Sequence, residues 1–455
     1  MSHRVKKLTG LETLYSASKK LRFSESKRIQ KRAHQIIPGG CHTYAKGDDQ
    51  YPKQSPGFIA RGEGSHVFDV DGNEFIEYGM GLRSVTLGHG NERVARAAYK
   101  ATLRGSNFLR PSPIEVELAE EMLSLLPYGD MIKFGKNGSD VTTAAVKLAR
   151  AYTGRDVVAV PSNQPFFSVD DWFIGTTAMK SGIPQQIRDL TTHFTYNDID
   201  SVRALFERHP NKIACLIMEP AKYGPPKDDF LHRTKELCHK HDAVFILDEI
   251  ITGFRWHLNG AQRFYDIQAD LSTFGKAMGN GFPVSALIGK RELMEAGGIH
   301  HNRERVFLLS QTFGGETGSL AAALETIRIY REEKVVDYMW NIGRKLKQGI
   351  AEIIEDLQLG GYFTISGYPC CLVFGTNDQH KQHSEKFRTL FMQETIKRGL
   401  LMPSLIVSYA HTDADIEFTL EGVQEALKVY KKALQQGVTE YLEGPPEQPT
   451  LRKYC

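Results

Sequence analysis

Apolar residues recur along this chain in two rhythms, and together they predict an α/β protein. Short apolar runs at residues 157–160, 213–218 and 243–247, unbroken by a polar residue, and at 131–134 and 284–288, each with one (Lys133, Ser285), have strand length and read as strands. Between them the rhythm changes to helical spacing. Ile114, Leu118, Met122 and Leu125 mark a helix over 115–126 that Pro127 stops. Val141, Ala145, Leu148 and Ala149 share one face of a second helix over 141–152, with Ser139 or Asp140 as its expected N-cap. A strand at 213–218, a helix at 231–241 and a strand at 243–247 form a right-handed βαβ unit, which makes the sheet largely parallel.

The ends of the chain break this pattern. Residues 1–35 are rich in Lys, Arg and Ser and predict one or two peripheral helices, ended by Ile36-Ile37-Pro38-Gly39-Gly40. From Gly57, apolar alternation through Val67, Phe75 and Ile76 surrounds an Asp71-Gly72 hairpin turn, predicting a small antiparallel sheet. Beyond residue 336 come a helix at 336–353, strands near 363–365 and 372–374, and helices at 384–398 and 413–434. The expected organisation is an N-terminal arm and small sheet (1–90), a large domain with a mostly parallel central sheet flanked by helices (91–335), a small α+β C-terminal domain (336–440), and a loose tail with three prolines (441–455).

Composition narrows the function classes. At 455 residues the chain can bury a large core, and 41% hydrophobic with 24% charged content is ordinary for a globular protein. A net charge of +3 gives no footing for nucleic acid or a membrane surface. No apolar run reaches the ~18 residues of a membrane span. The basic start, MSHRVKKLTG, lacks the apolar segment of a secretory signal, and the six cysteines follow no framework spacing, so a cytoplasmic protein with reduced thiols is expected.

The chemistry concentrates between Phe245 and Lys276. The apolar run there ends in Asp248-Glu249, which puts a carboxylate at the edge where open α/β sheets bind ligands. Lys276 follows in a glycine-rich loop, Gly275 to Gly281, that can approach the same edge. Taken singly, the acidic pair also reads as a strand end or a cap, and the lysine as a solvated one. Together they are what pyridoxal phosphate needs: an amine for a Schiff base and a carboxylate for the pyridinium nitrogen. Upstream, Asn137-Gly138-Ser139 enter the second helix, where free N–H groups and the positive dipole end suit a phosphate, although an ordinary capped helix has the same look. No Gly-x-Gly-x-x-Gly enters a helix after a strand, which argues against a dinucleotide.

The segments LDEIITGFR and FGKAMGNGFPVSALIGK resemble the cofactor-binding segments of the class III aminotransferases of pyridoxal phosphate fold type I, in the branch that contains glutamate-1-semialdehyde aminomutase and its aminotransferase relatives. IIPGG, DVDGNEFIEYGMGLRSVTLGH and SQTFGGE extend the likeness over roughly residues 25–435. The resemblance implies that Lys276 carries the cofactor and Asp248 pairs with its ring nitrogen. Ile250 packs under the ring, Phe166 stacks over it, and Glu219, in Glu219-Pro220, organises the substrate side. Asn137, Gly138 and Ser139 hold the phosphate, joined by Thr312 of a neighbouring subunit, so a homodimer with shared sites is implied. Arg83, Ser84, Phe167 and Glu316 fall where substrate can meet them, and no metal is implied.

The sequence departs from the family where Phe166-Phe167 stand in place of the usual Tyr-His. The expected reaction moves an amine from a donor to a carbonyl acceptor, such as a sugar or phosphorylated keto intermediate, with pyridoxamine phosphate as the alternate cofactor form. Glutamate-1-semialdehyde 2,1-aminomutase-type transfer within one substrate is the alternative. A non-catalytic partner protein on the same fold is disfavoured by retention of Lys276 and Asp248.

Overall fold

A computed structural model describes residues 21–163, 166–221 and 224–454. The first twenty residues, part of the expected peripheral helices, lie outside it; a helix at Ser24–Ile36 follows. Strands β1 (Ile59–Glu63), β2 (His66–Asp69) and β3 (Glu74–Glu77) form the expected antiparallel sheet. The β2–β3 turn runs through Gly72, whose φ of 80° explains the glycine.

The central sheet has seven strands: β4 (Met131–Gly135), β5 (Val157–Pro161), β6 (Thr191–Phe194), β7 (Ile213–Met218), β8 (Val244–Asp248), β9 (Leu271–Phe274) and β10 (Ser285–Gly289). Their order is β4-β10-β9-β8-β7-β5-β6. Only β10 is antiparallel to its neighbours. β5, β7, β8, β9 and β10 are buried at every residue, as the apolar runs of β5, β7 and β8 require; β9 and β10 are buried although they carry Ser272, Thr273 and Ser285. The helix Gly138–Thr153 covers this sheet through Val141, Ala145, Leu148 and Ala149.

The two ends of the chain meet. After the pair β11 (Phe363–Tyr368) and β12 (Cys371–Thr376), strand β13 (Leu400–Leu401) adds in parallel to β3, matching Leu400 with Ile76 and Leu401 with Glu77. The N-terminal sheet is thereby continuous with the C-terminal segment, which the linear division into an arm and a separate C-terminal unit does not convey. The tail expected to be loose is tied down. Glu447 is buried and its N–H donates to Thr389 Oγ1 at 2.9 Å, Gln448 N–H donates to Asp49 O at 2.9 Å, and Arg452 pairs with Asp49 at 2.6 Å. Prolines 445, 446 and 449 remove donors from a regular element, but the remaining N–H groups still find partners elsewhere. Among the described residues no helix is long and apolar enough to cross a membrane.

Candidate active site

Strand β8 ends on Asp248 itself, opposite Thr273 of β9. β9 then runs through Gly275 into Lys276, so neighbouring parallel strands bring the carboxylate and the amine to one sheet edge. Asp248 is buried, and its Oδ1 accepts bonds from Ile250 N–H at 2.9 Å and Thr273 Oγ1 at 3.0 Å. Both bonds fall on Oδ1, which orients the carboxyl and keeps Oδ2 for the cavity that Asp248 lines. Glu249 points elsewhere. It accepts bonds from the N–H groups of Ala261 and Gln262 and from the Gln262 side chain, and is structural.

Asp248 and Lys276 share a cavity of about 460 Å³ with Glu219, Ile250, Phe166, Phe167, Ser84 and residues 136–139. Burial, and next the nearby Glu219 charge, push the Asp248 carboxyl up to about 7. Burial likewise lowers the proton affinity of Lys276, opposed by Glu219 and Asp248 and aided by Arg83. A cation beside Asp248 would restore its charge, as a protonated ring nitrogen does.

The N-cap of the helix Gly138–Thr153 is Asn137, rather than Ser139 or Asp140. Asn137 Oδ1 accepts from Asp140 N–H at 3.2 Å, while Asp140 Oδ2 accepts from the N–H groups of Lys136 and Asn137 at 2.9 and 3.0 Å. The Asn137 side-chain amide also donates one of its two N–H groups to Asp140 Oδ1 at 3.0 Å, which fixes its orientation at the cavity wall and leaves the second N–H without a recorded acceptor. The N–H groups of Gly138 and Ser139 fall at the first two helical positions, where a helix supplies no acceptor. A Cβ at Gly138 would meet Ile250 Cδ1 at 2.7 Å, so glycine lets Ile250 pack at the turn. Ser139 Oγ accepts from Val169 N–H at 3.0 Å, leaving its own proton to donate.

Phe166 is exposed and Phe167 buried, and both set an edge against Phe173, at 5.7 and 5.6 Å between centroids. Pro165, which begins this stretch, lies outside the described residues. Three expected residues do not line the cavity: Arg83, Thr312 and Glu316. Thr312 is exposed. Glu316 caps the helix Thr317–Glu333 by accepting from Gly318 and Ser319 N–H at 2.7 and 3.1 Å, and pairs with Lys136 at 3.0 Å. That cap makes it a structural anchor rather than a substrate contact. Sequence reasoning missed Lys136, Val169 and the stretch 281–284, which line the cavity. Lys136 adjoins the helix entry, and that adjacency is the signal that could have found it.

The donor set fits pyridoxal phosphate. A poorly solvated amine and an oriented carboxyl line one cavity open to solvent, and free helix N–H groups stand at its side for a phosphate. Among the described residues no cluster suited to a metal ion occurs.

Known proteins agree with this geometry. The chain is 30% identical over 427 residues to a 3-aminobutyryl-CoA aminotransferase of Cloacimonas acidaminovorans, covering 92% of this chain and all of that one. It is 32% identical over 432 residues to a glutamate-1-semialdehyde 2,1-aminomutase of Acetivibrio thermocellus, covering 88% and 97%. Its fold matches the FumI protein of Sphingopyxis sp. MTA144, solved with pyridoxal phosphate, with a TM-score of 0.82 and 26% identity over 93% of this chain and 98% of that one. Residues 49–427 match the family Aminotransferase class-III, and the chain belongs to these pyridoxal phosphate-dependent enzymes.

Proposed function

We propose that the enzyme moves an amino group between two separate small molecules, from an amino donor to a carbonyl acceptor such as a sugar or phosphorylated keto intermediate. The observation that carries this reading is the convergence of Lys276 and Asp248 on one cavity. The cofactor supplies an aldehyde to take up the amine and a ring to accept electrons, alternating with its pyridoxamine form. Lys276 Nζ would hold the aldehyde, and as a free amine its lowered proton affinity would suit it to lift and return a proton at neutral pH. Asp248 Oδ2 would keep the ring nitrogen charged, and the Gly138 and Ser139 N–H groups would hold the phosphate. Ile250 and Phe166, both in the cavity wall, would pack on the ring. Glu219 and Ser84 line the substrate side.

The exposure of Thr312 supports a homodimer in which this residue completes the partner's phosphate site. The five described cysteines are free, in keeping with a cytoplasmic protein.

Intramolecular amine transfer is the second reading, favoured by relatives named for glutamate-1-semialdehyde 2,1-aminomutase. Against it, Phe167 makes a dry apolar wall where the resemblance has an imidazole. The deciding assay is conversion of the semialdehyde to 5-aminolevulinate without added donor or acceptor. Efficient turnover would establish the aminomutase. Otherwise, half-reactions with separate amines and then carbonyls, followed by the cofactor spectrum, should identify both substrates.

A further inference from the structure

Residues Met80, Gly81, Leu82 and Arg83 form a left-handed turn, with φ values of 41°, 57°, 56° and 72°. Only Gly81 takes this conformation without steric cost, and such turns persist where surrounding contacts enforce them. The enforcing contact here is Arg255. Its side chain is wholly buried, and Nη2 donates to Arg83 O at 2.9 Å, closing the end of the turn. Nη1 reaches Cys370 O and Val407 O at 3.4 Å each, from two segments of the C-terminal part of the chain. Its Nε is buried without a partner, and its recorded bonds go to carbonyls, with no carboxylate among them. A buried guanidinium without a counter-ion costs stability, and an apolar side chain would fill the same space. Two costly features, a left-handed backbone and an uncompensated buried cation, therefore meet at one carbonyl.

The next residue, Ser84, lines the cavity that holds Lys276. Arg83 is half-buried, and among the described residues no ion pair or side-chain hydrogen bond holds its guanidinium. Its charge is felt by Lys276 on one side and by Arg255 on the other. Such a cation, facing like charges and held by no recorded carboxylate, is available to a ligand of opposite charge.

We propose that the turn Met80–Arg83, clamped by Arg255, presents the Arg83 guanidinium at the mouth of the Lys276 cavity as the receptor for a carboxylate of the amine-bearing substrate. Arg255 is the positioning residue: it touches no substrate and acts through the Arg83 carbonyl. A guanidinium matches a carboxylate in two parallel hydrogen bonds, which fixes orientation as well as affinity. The inference rests on the reading of Lys276 as the cofactor lysine.

The test uses the holoenzyme and propionate, a carboxylate with no amine. The Arg83 cation disfavours protonation next to Lys276, so an anion bound to it should raise the pH midpoint of the cofactor's visible absorbance band. Propionate should produce that rise in the wild type, measured against chloride at equal ionic strength. Arg83→Gln should start from a raised midpoint and bind propionate on the order of ten- to a hundredfold more weakly, the scale of a lost charged hydrogen-bond pair. Arg83→Lys should keep part of the response. Arg255→Met should lose the response, and adding Leu82→Gly should restore part of it, because glycine holds the left-handed turn unaided; a general packing defect would not be rescued there. Calorimetric titration of propionate into the cofactor-free Lys276→Ala chain reads the anion site without the cofactor or the lysine amine. If borohydride labels another lysine while this heat still depends on Arg83, the cofactor reading falls and the anion site stands. No wild-type response, or equal responses in the wild type and Arg83→Gln, would overturn the proposal. So would an unchanged response in Arg255→Met. Tighter, Arg83-dependent binding of inorganic phosphate would overturn the choice of a carboxylate.

Discussion

Replacing Asp248 with Asn should stabilise the cofactor-free chain and cripple the loaded enzyme. In the cofactor-free chain, burial and the Glu219 charge hold the Asp248 carboxyl at about 7. The unfolded chain returns it to about 3.9. With the folded value raised, the stability tied to the bound proton is complete below about pH 4 and is lost as pH rises to about 7. The gap of about 3 pH units, at about 1.4 kcal/mol each, sets a ceiling of about 4 kcal/mol, of which burial supplies the larger part and the nearby Glu219 charge the next. Asn keeps the shape without the titration. Urea unfolding of cofactor-free wild type and Asp248→Asn, stepped from pH 4 to 8, should therefore show the variant gaining relative stability across that window at constant m. Pyridoxal phosphate should reverse the order, because its ring nitrogen supplies the cation that Asp248 lacks. The loaded variant should lose on the order of 10²-fold in turnover. A stability difference that does not vary with pH would refute the electrostatic argument, and wild-type turnover in the variant would refute the role of Asp248.

Three further outcomes are expected. Borohydride reduction and peptide mapping should label Lys276, and Lys276→Ala should halt turnover while cofactor still binds through its phosphate; a label on any other lysine would falsify the assignment. Mixing inactive Lys276→Ala chains with an inactive Thr312→Ala chain should restore part of the activity in hybrid dimers, whereas a fully active monomer in sedimentation-coupled assays would end the shared-site reading. Phe166→Ala should weaken cofactor binding by about 1 kcal/mol, the scale of a lost aromatic stack. Phe167→His should change acceptor preference more than cofactor affinity, and the reverse result would reassign the two rings.

Strands β5, β7 and β8 were legible because a fully buried parallel strand leaves an unbroken apolar run, and β7 occupies the span its run predicts, whereas β6 (Thr191–Phe194) and β9 (Leu271–Phe274) carry polar residues and were not foreseen. Asp248 and Lys276 were legible because parallel neighbours send their ends to the same edge. What depends on which atom meets which was not legible. Asn137, Ser139 and Asp140 can all cap a helix, and only the backbone geometry shows that Asn137 does so. Glu316 and Lys136 lie far apart in sequence, and nothing local signals that they pair. The two-residue strand β13 is too short for any periodicity, yet it joins the ends of the chain.

The motif from Asp248 to Arg255 is specific because it carries several independent constraints. Asp248 turns to the cavity, while Glu249, one residue on, ties down the N–H groups at 261 and 262. Gly253 admits no side chain, since a Cβ would lie 2.7 Å from both Glu249 O and Phe274 Cδ1. Phe254 takes a left-handed φ of 61° and stacks on Tyr330 at 5.7 Å. That bend sends Arg255 toward the turn at Arg83. One substitution at Gly253 should thus disturb both ends: the orientation of Asp248 against the cofactor and the clamp on the substrate-side turn. Resemblance to a family registers the motif as a single cofactor signature. The contacts divide it into a cavity-lining carboxyl, a structural anchor, a backbone bend and a buried cation bonded to the Arg83 carbonyl.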